Sequence, residues 1–378
     1  MRYRLLGKSG LRVSELCLGT MTFMDGLAWG SPKEESRRIY SAFVDEGGNF
    51  IDTANSYGTS EEYLGEFIGS DRQRIVIGTK YTGSPPMNDA NSAGNHRKSL
   101  VQSVETSLKR LRTDYIDLLW VHSWDFMTPV EELMRALDDM VRQGKVLYVG
   151  ISNAPAWVVA QANTLADLRG WTPFIGLQVE YNLLERAVER ELLPMARALD
   201  IGVTAWTPLA SGWLTGKYSK GGPAATWKSS TERDRLDDPI ASRFVQRSAQ
   251  NKLIAELVGG IAEEIGCAPA HVALNWLRSQ GVIPILGGRK VEQVKENSAC
   301  LSFGLSQEDL RRLDDVSRIP LGFPHDFLAS NMVRQHVYGG MYDLIDDHRR
   351  YMQKQSNVAR ATQSKREEHG ESAEKFIN

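Results

Sequence analysis

Residues 50–80 read FIDTANSYGTSEEYLGEFIGSDRQRIVIGTK, and this stretch decides the fold. It opens on a short strand, Phe50-Ile51-Asp52, and passes through a polar turn into a helical period over 60–68. It returns as the β-branched run 74–80. A strand, a helix and a second strand in about thirty residues predict a βαβ unit with parallel strands. The same alternation continues in both directions. Upstream, a helix over 31–47 starts at Ser31-Pro32 and is preceded by the apolar run 15–18. Downstream, strands are predicted at 116–121, 146–152, 176–180, 203–206 and 282–286. Helices are predicted at 96–111, 130–143, 155–168, 189–199, 252–265 and 291–299.

Eight strand-then-helix units over about 300 residues predict a closed (β/α)8 TIM barrel. An open doubly wound sheet would call for a GxGxxG turn after the first strand, and the sequence has none there. Gly7-Lys8-Ser9-Gly10 lies between two short β-like pieces, 3–6 and 12–13, and predicts a β-hairpin at the barrel bottom. Residues 213–242, rich in Gly, Ser, Lys, Asp and Pro, predict a long surface loop. The expected organisation is therefore a barrel over 1–319 and a C-terminal extension over 320–378. Extra helices begin at 307–316, and the end is strongly charged from about residue 349.

Of 378 residues, 42% are hydrophobic and 24% charged, with a formal net charge of -2. That balance predicts a globular protein with a substantial core and gives no electrostatic reason to bind nucleic acid. Three cysteines far apart in sequence predict neither a disulfide framework nor a zinc site, and no metal is expected. The N-terminus lacks an apolar secretory core, and no window reaches the roughly 18 apolar residues of a membrane span. A cytoplasmic monomer or weak homo-oligomer is the expectation.

Barrel active sites are built at the C-terminal ends of the strands. There the sequence places Asp52 at one strand end, Tyr57 five residues later, Lys80 at the next strand end and His122 at the one after. Buried charges need partners, and Asp52 with Lys80 forms a natural pair. A phenol has an ordinary pKa of about 10, and an ammonium beside it lowers that value. His122 would direct a carbonyl oxygen. Such a set suits protonation of an oxyanion formed when hydride adds to C=O. Each residue alone has an ordinary structural explanation; three neighbouring strand ends together favour chemistry.

The stretch 50–65 resembles the signature of the aldo-keto reductases. RIVIGTK, LLWVHSWD, VGISN, LQVEYNLL, AWTPLASGWLTGKY and VIPILGGRKVEQVKEN are similar to further motifs of that family, in order, over about 1–313. The resemblance implies NADPH-dependent reduction of a small-molecule carbonyl substrate. It implies Tyr57 as general acid, Lys80 lowering its pKa, Asp52 holding Lys80 and His122 orienting the carbonyl. It implies that Ser152, Asn153 and Gln178 bond the nicotinamide carboxamide and that Trp206 lies against the ring. Thr207, Leu209, Gly212 and Lys217 would line the pyrophosphate path. Gly287, Arg289, Gln293, Glu296 and Asn297 would meet the adenosine end.

Arg289 and Lys290 side by side at a helix start favour the 2′-phosphate of NADP(H) over NAD(H). Trp29, Trp124 and Phe126 are candidate substrate walls. Residues 322–340 resemble the C-terminal extension of a bacterial subgroup whose substrates include cyclic ketones such as oxidised sugars and keto-mycotoxins; aryl aldehydes are the other expectation. Similar barrels also serve as cofactor-sensing β subunits of potassium channels. Those carry a different residue where His122 stands, which favours the enzyme reading. A metal-dependent or two-carboxylate hydrolase or isomerase finds no constellation in the sequence.

Overall fold

The computed structural model describes residues 1–25, 30–83, 88–216 and 248–346. Eight parallel strands close into a barrel: β3 (Cys17–Gly19), β4 (Phe50–Asp52), β5 (Val76–Tyr81), β6 (Ile116–Val121), β7 (Val146–Ser152), β8 (Phe174–Glu180), β9 (Gly202–Trp206) and β10 (Ile283–Leu286). Each strand pairs with its neighbour in sequence, and β10 closes on β3 through Ile285↔Cys17 and Leu286↔Leu18. The predicted (β/α)8 barrel is thus the fold. The first barrel strand begins later than predicted. Ser14 belongs to the preceding hairpin, and the Glu15 carboxylate is turned to the Arg2 amide and the Arg278 guanidinium.

That hairpin pairs β1 (Tyr3–Leu5) with β2 (Arg12–Ser14) in antiparallel register. Gly7 at its turn has φ +54, and a Cβ there would lie 2.4 Å from Ile175 O and 2.7 Å from Asp200 O. Only glycine lets this turn press against the starts of β8 and β9, where the Lys8 amide donates to Asp200 O.

The helices α1 (Lys33–Asp45), α2 (Ser60–Ile68), α3 (Arg97–Leu111), α4 (Val130–Arg142), α5 (Ala156–Arg169) and α6 (Leu192–Ala198) follow β3 to β8 in turn. Between β9 and β10 the alternation predicts one helix, and among the described residues there are two α-helices, α7 (Ala249–Ile265) and α8 (Pro269–Ser279). Pro269 at its first turn is the sequence signal for the second, and its Trp276 is fully buried. Helix α9 (Val291–Ser298) follows β10, and α10 (Gln307–Ser317) lies beyond it.

The core has two shells. Outward strand residues such as Ile51, Ile77, Leu119, Leu177 and Val203 pack against the helices, while inward Leu6, Val13, Phe50, Leu118, Trp120 and Ile283 fill the barrel. Trp120 sits at the centre of this inner shell. A Cβ on Gly78, Gly150 or Gly176 would lie 2.7, 2.5 or 2.7 Å from its ring. Three strands therefore give up their side chains to admit one indole, and close packing at this level forms the floor of the barrel mouth.

The chain divides into two compact units, Met1–Ile319 and Pro320–Asn378. Within the second, where the sequence predicts irregular structure, the described residues include the short helices α11 (His325–Ala329) and α12 (Asn331–Val337). Ser330 caps α12 by accepting from the Val333 amide at 3.4 Å. The charged tail lies outside the described residues, as does most of the predicted long loop; its first residues, 213–215, end the 3-10 element Ala210–Thr215.

Candidate active site

The mouth of the barrel is organised around Lys80. Its side chain rises from the inner face of β5, 1% exposed, and its ammonium uses all three protons. One goes to Asp52 Oδ2, one to the Thr53 carbonyl at 3.0 Å and one to Tyr57 Oη at 3.3 Å. Asp52, 4% exposed at the end of β4, is held from both sides. Its second carboxylate oxygen accepts from Gln178 Nε2 at 2.8 Å. Gln178 stands on β8, opposite β4 in the eight-strand ring. The sequence reading assigned Gln178 only to a cofactor amide, and its bond to Asp52 comes from barrel closure.

Tyr57 is positioned by the turn after β4. The Thr53 amide donates to Gly78 O and the Asn55 amide to Lys80 O, which ties this turn to β5. The Thr53, Ser60 and Thr20 hydroxyls form a buried cluster beneath it. The Tyr57 ring meets the His122 ring edge-on, with centroids 5.9 Å apart and planes at 81°. The four sequence-predicted groups therefore converge on one point.

Their electrostatics differ in one respect from the expectation. Burial is the largest influence on Tyr57 and pushes its phenol above the usual range; Lys80 pulls it down but does not prevail. The phenol thus stays protonated across neutral pH. Burial also works against charge on Lys80, but Asp52 and Tyr57 more than offset it and the ammonium is retained. His122 is pushed down to about 3, first by burial and then by Lys80, so its imidazole is neutral.

The next three strand ends carry the residues expected to meet a nicotinamide. Ser152, fully buried at the end of β7, has an Oγ with no hydrogen-bond partner among the described residues. Such a group calls for a ligand atom or a water. Asn153, with φ +48, donates from Nδ2 to His122 O at 2.9 Å and accepts from Trp206 Nε1 at 3.2 Å. After Trp206 the backbone is left-handed at Thr207, Ala210, Ser211 and Gly212. Strain of this kind, about 1–3 kcal/mol per non-glycine residue, gathers at ligand-binding segments. Leu209 lies within the same turn, and Lys217 lies outside the described residues.

The residues expected at the adenosine end gather around the start of α9. In the structure the Arg289 and Lys290 amides donate to Gln293 Oε1 at 2.8 and 3.3 Å, and the Val291 amide donates to Glu35 Oε1 at 2.7 Å. The Gln293 and Glu35 side chains thus occupy part of this helix start, beside the Arg289 and Lys290 side chains. Gly287 is exposed beside them, Glu296 is exposed on α9, and Asn297 is buried.

Of the substrate-wall candidates, Trp29 lies outside the described residues. Trp124 is 8% exposed and packs in the outer core, so it offers a substrate little surface. Phe126 is 72% exposed with φ +57. Asp125 holds it out by accepting from the Met127 and Thr128 amides and from Asn95 N, while Asn95 Oδ1 accepts from Asp125 N at 2.8 Å. The Asp-x-x-Thr spacing of 125–128 is the sequence signal of this clamp, which the strand and helix pattern does not show.

A closed parallel barrel with an Asp–Lys–Tyr–His cluster at its C-terminal mouth defines a class of oxidoreductase, and the comparisons agree. The aldo/keto reductase family model matches residues 15–318. A norsolorinic acid reductase of Aspergillus flavus is 39% identical over 343 residues, covering 86% of this chain and 84% of that protein. An aryl-alcohol dehydrogenase of Pestalotiopsis microspora is 37% identical, covering 90% and 86%. A Saccharomyces cerevisiae protein named for aryl-alcohol dehydrogenase activity is 38% identical, covering 87% and 90%. The chain belongs to the aldo/keto reductase family. Among the described residues no helix is long and apolar enough to cross a membrane, and no group of His, Cys, Asp and Glu is placed to hold a metal ion.

Proposed function

We propose that this protein is an NADPH-dependent carbonyl reductase in which Tyr57 donates the proton. The observation that carries the reading is the Lys80 ammonium shared between Asp52, Thr53 O and Tyr57 Oη. When bound, the nicotinamide supplies the hydride that adds to the carbonyl carbon. As charge grows on the carbonyl oxygen, Tyr57 Oη gives up its proton to it. Lys80 is then one hydrogen bond from the phenolate it stabilises, and Asp52 keeps Lys80 charged and aimed. His122, being neutral, acts as a hydrogen-bonding group that orients the oxygen and not as an acid.

Burial raises the phenol's pKa, which keeps the donor loaded at neutral pH at some loss of driving force. Ser152, Asn153 and Gln178 would hold the carboxamide, and the Arg289-Lys290 pair supports NADPH over NADH. The aryl-alcohol dehydrogenase names among the relatives point to aryl alcohols and the corresponding aryl aldehydes as substrates, and exposed Phe126 is an apolar surface for such rings.

The test is NADPH consumption with a panel of aryl aldehydes and cyclic ketones, compared with NADH. Tyr57→Phe should lower turnover by about 100- to 10,000-fold. Turnover that survives in that variant sinks the mechanism.

A further inference from the structure

Glu180 closes β8 two residues beyond Gln178, so the two side chains share the inner face. The outward residues on either side confirm this parity, since Leu177, Val179 and Tyr181 all pack in the outer core. In register, Glu180 lies beside Trp206 of β9, while Ser152 of β7 lies beside Gln178. The Trp206–Asn153 hydrogen bond joins the two strands that flank β8, at the level of Glu180.

The Glu180 carboxyl is partly buried, and its Oε1 has no hydrogen-bond partner among the described residues. Among the described residues no cation is paired with it. Its neighbours at the end of β7 are Ser152 and the following Asn153, and at the end of β9 Trp206 and the following Thr207, none of which ionises near neutral pH. On its own strand Gln178, tied to Asp52, stands between it and the Asp52–Lys80 pair. The charge that acts on it is that of Glu185, which has the same sign. An acid desolvated without a partner is unfavourable, and the groups around it are those that would hold the nicotinamide.

We propose that Glu180 is a cofactor-facing residue whose carboxylate favours the oxidised, cationic nicotinamide ring over the reduced, neutral one. The inference rests on the reading above that a nicotinamide nucleotide occupies these strand ends. Burial first, and Glu185 second, push the Glu180 carboxyl up to about 7. Its charge therefore appears as pH rises through neutrality. The sign follows: above that pH the carboxylate attracts the oxidised ring, and below it the neutral acid does not. No other site group interferes, because His122 titrates near 3 and Tyr57 above the usual phenol range. The 2′-phosphate, with a pKa of about 6, is common to both forms and cancels in their ratio.

The experiment is calorimetric titration of the full chain with NADP+ and with NADPH at about pH 6, 7 and 8. The ratio Kd(NADPH)/Kd(NADP+) should rise at least about five-fold across that range, a modest coupling for a partly buried charge pair. Glu180→Gln should bind both forms with a ratio that does not change with pH. Glu185→Gln should keep the rise but move its midpoint down, because a like charge has been removed. If both forms bind and the wild-type ratio is flat, or if the rise survives in Glu180→Gln, the role of Glu180 is overturned and carbonyl reduction stands. If neither nucleotide binds, both readings fall.

Discussion

Gln178 on β8 reaches across the barrel to donate to Asp52 on β4, at 2.8 Å, and so holds the carboxylate that holds Lys80. The two residues are 126 positions apart and are joined only because the sheet closes. Both are nearly inaccessible, so water cannot replace a lost partner. A hydrogen bond to a charged group contributes about 1.5–3 kcal/mol, and removing one partner exposes the full desolvation penalty of the other. Gln178→Leu should therefore destabilise the protein by about 1.5–3 kcal/mol. Urea unfolding of the variant checks this without any assumption about the reaction. A loss below about 0.5 kcal/mol would mean the bond has little weight.

The barrel was legible because its signal is periodic. Strands such as Ile116–Val121 and Val146–Ser152 are β-branched and apolar runs bounded by helical periods, and local patterns of this kind need no knowledge of the partner. The Asp52, Tyr57, Lys80 and His122 cluster was legible for the same reason, since strand ends of a barrel share one mouth. What depends on closure was not legible. Gln178 meeting Asp52 joins strands on opposite sides of the ring, and the Trp206–Asn153 bond and the three glycines around Trp120 depend on which inward groups meet inside the closed barrel. The net rise of the Tyr57 pKa was also hidden, because neighbouring charge can be guessed from sequence whereas the degree of desolvation cannot. Trp124 shows the same limit: just past a strand end, the alternation of faces no longer tells a wall residue from a core residue.

His122 makes a statement about stability as well as chemistry. Its folded-state pKa is depressed to about 3 by burial and by Lys80, whereas an unfolded histidine titrates near 6.5. Below about pH 6.5 the unfolded chain binds a proton here that the folded chain refuses. Stability contributed by neutral His122 is thus fully present above about pH 6.5 and falls as pH drops toward 3, at up to about 1.4 kcal/mol per pH unit. Denaturant unfolding at about pH 5 and 6.5 should show this slope, and His122→Asn should lose it. An NMR titration that finds the His122 ring protonating near pH 6.5 in the folded protein would contradict the neutral role assigned to it.

The packing of Trp120 against Gly78, Gly150 and Gly176 gives a prediction in which size has opposite signs at two positions. Trp120→Ala empties the centre of the inner shell and should destabilise by about 3–5 kcal/mol. Gly150→Ala places a methyl 2.5 Å from the ring carbons Cε3 and Cζ3, which are backed by Gly176 on the next strand and cannot withdraw. Overpacking of this kind typically costs about 1–3 kcal/mol. If the two effects share one volume, the double variant Gly150→Ala with Trp120→Leu should be more stable than the sum of the single changes predicts. A double-mutant cycle from urea unfolding measures that coupling directly. Strict additivity would show that the glycines are small for a reason other than the indole. Because Trp120 pairs in register with Lys80, the double variant should also alter the alignment of Lys80 with Tyr57, and its activity should fall even where its stability recovers.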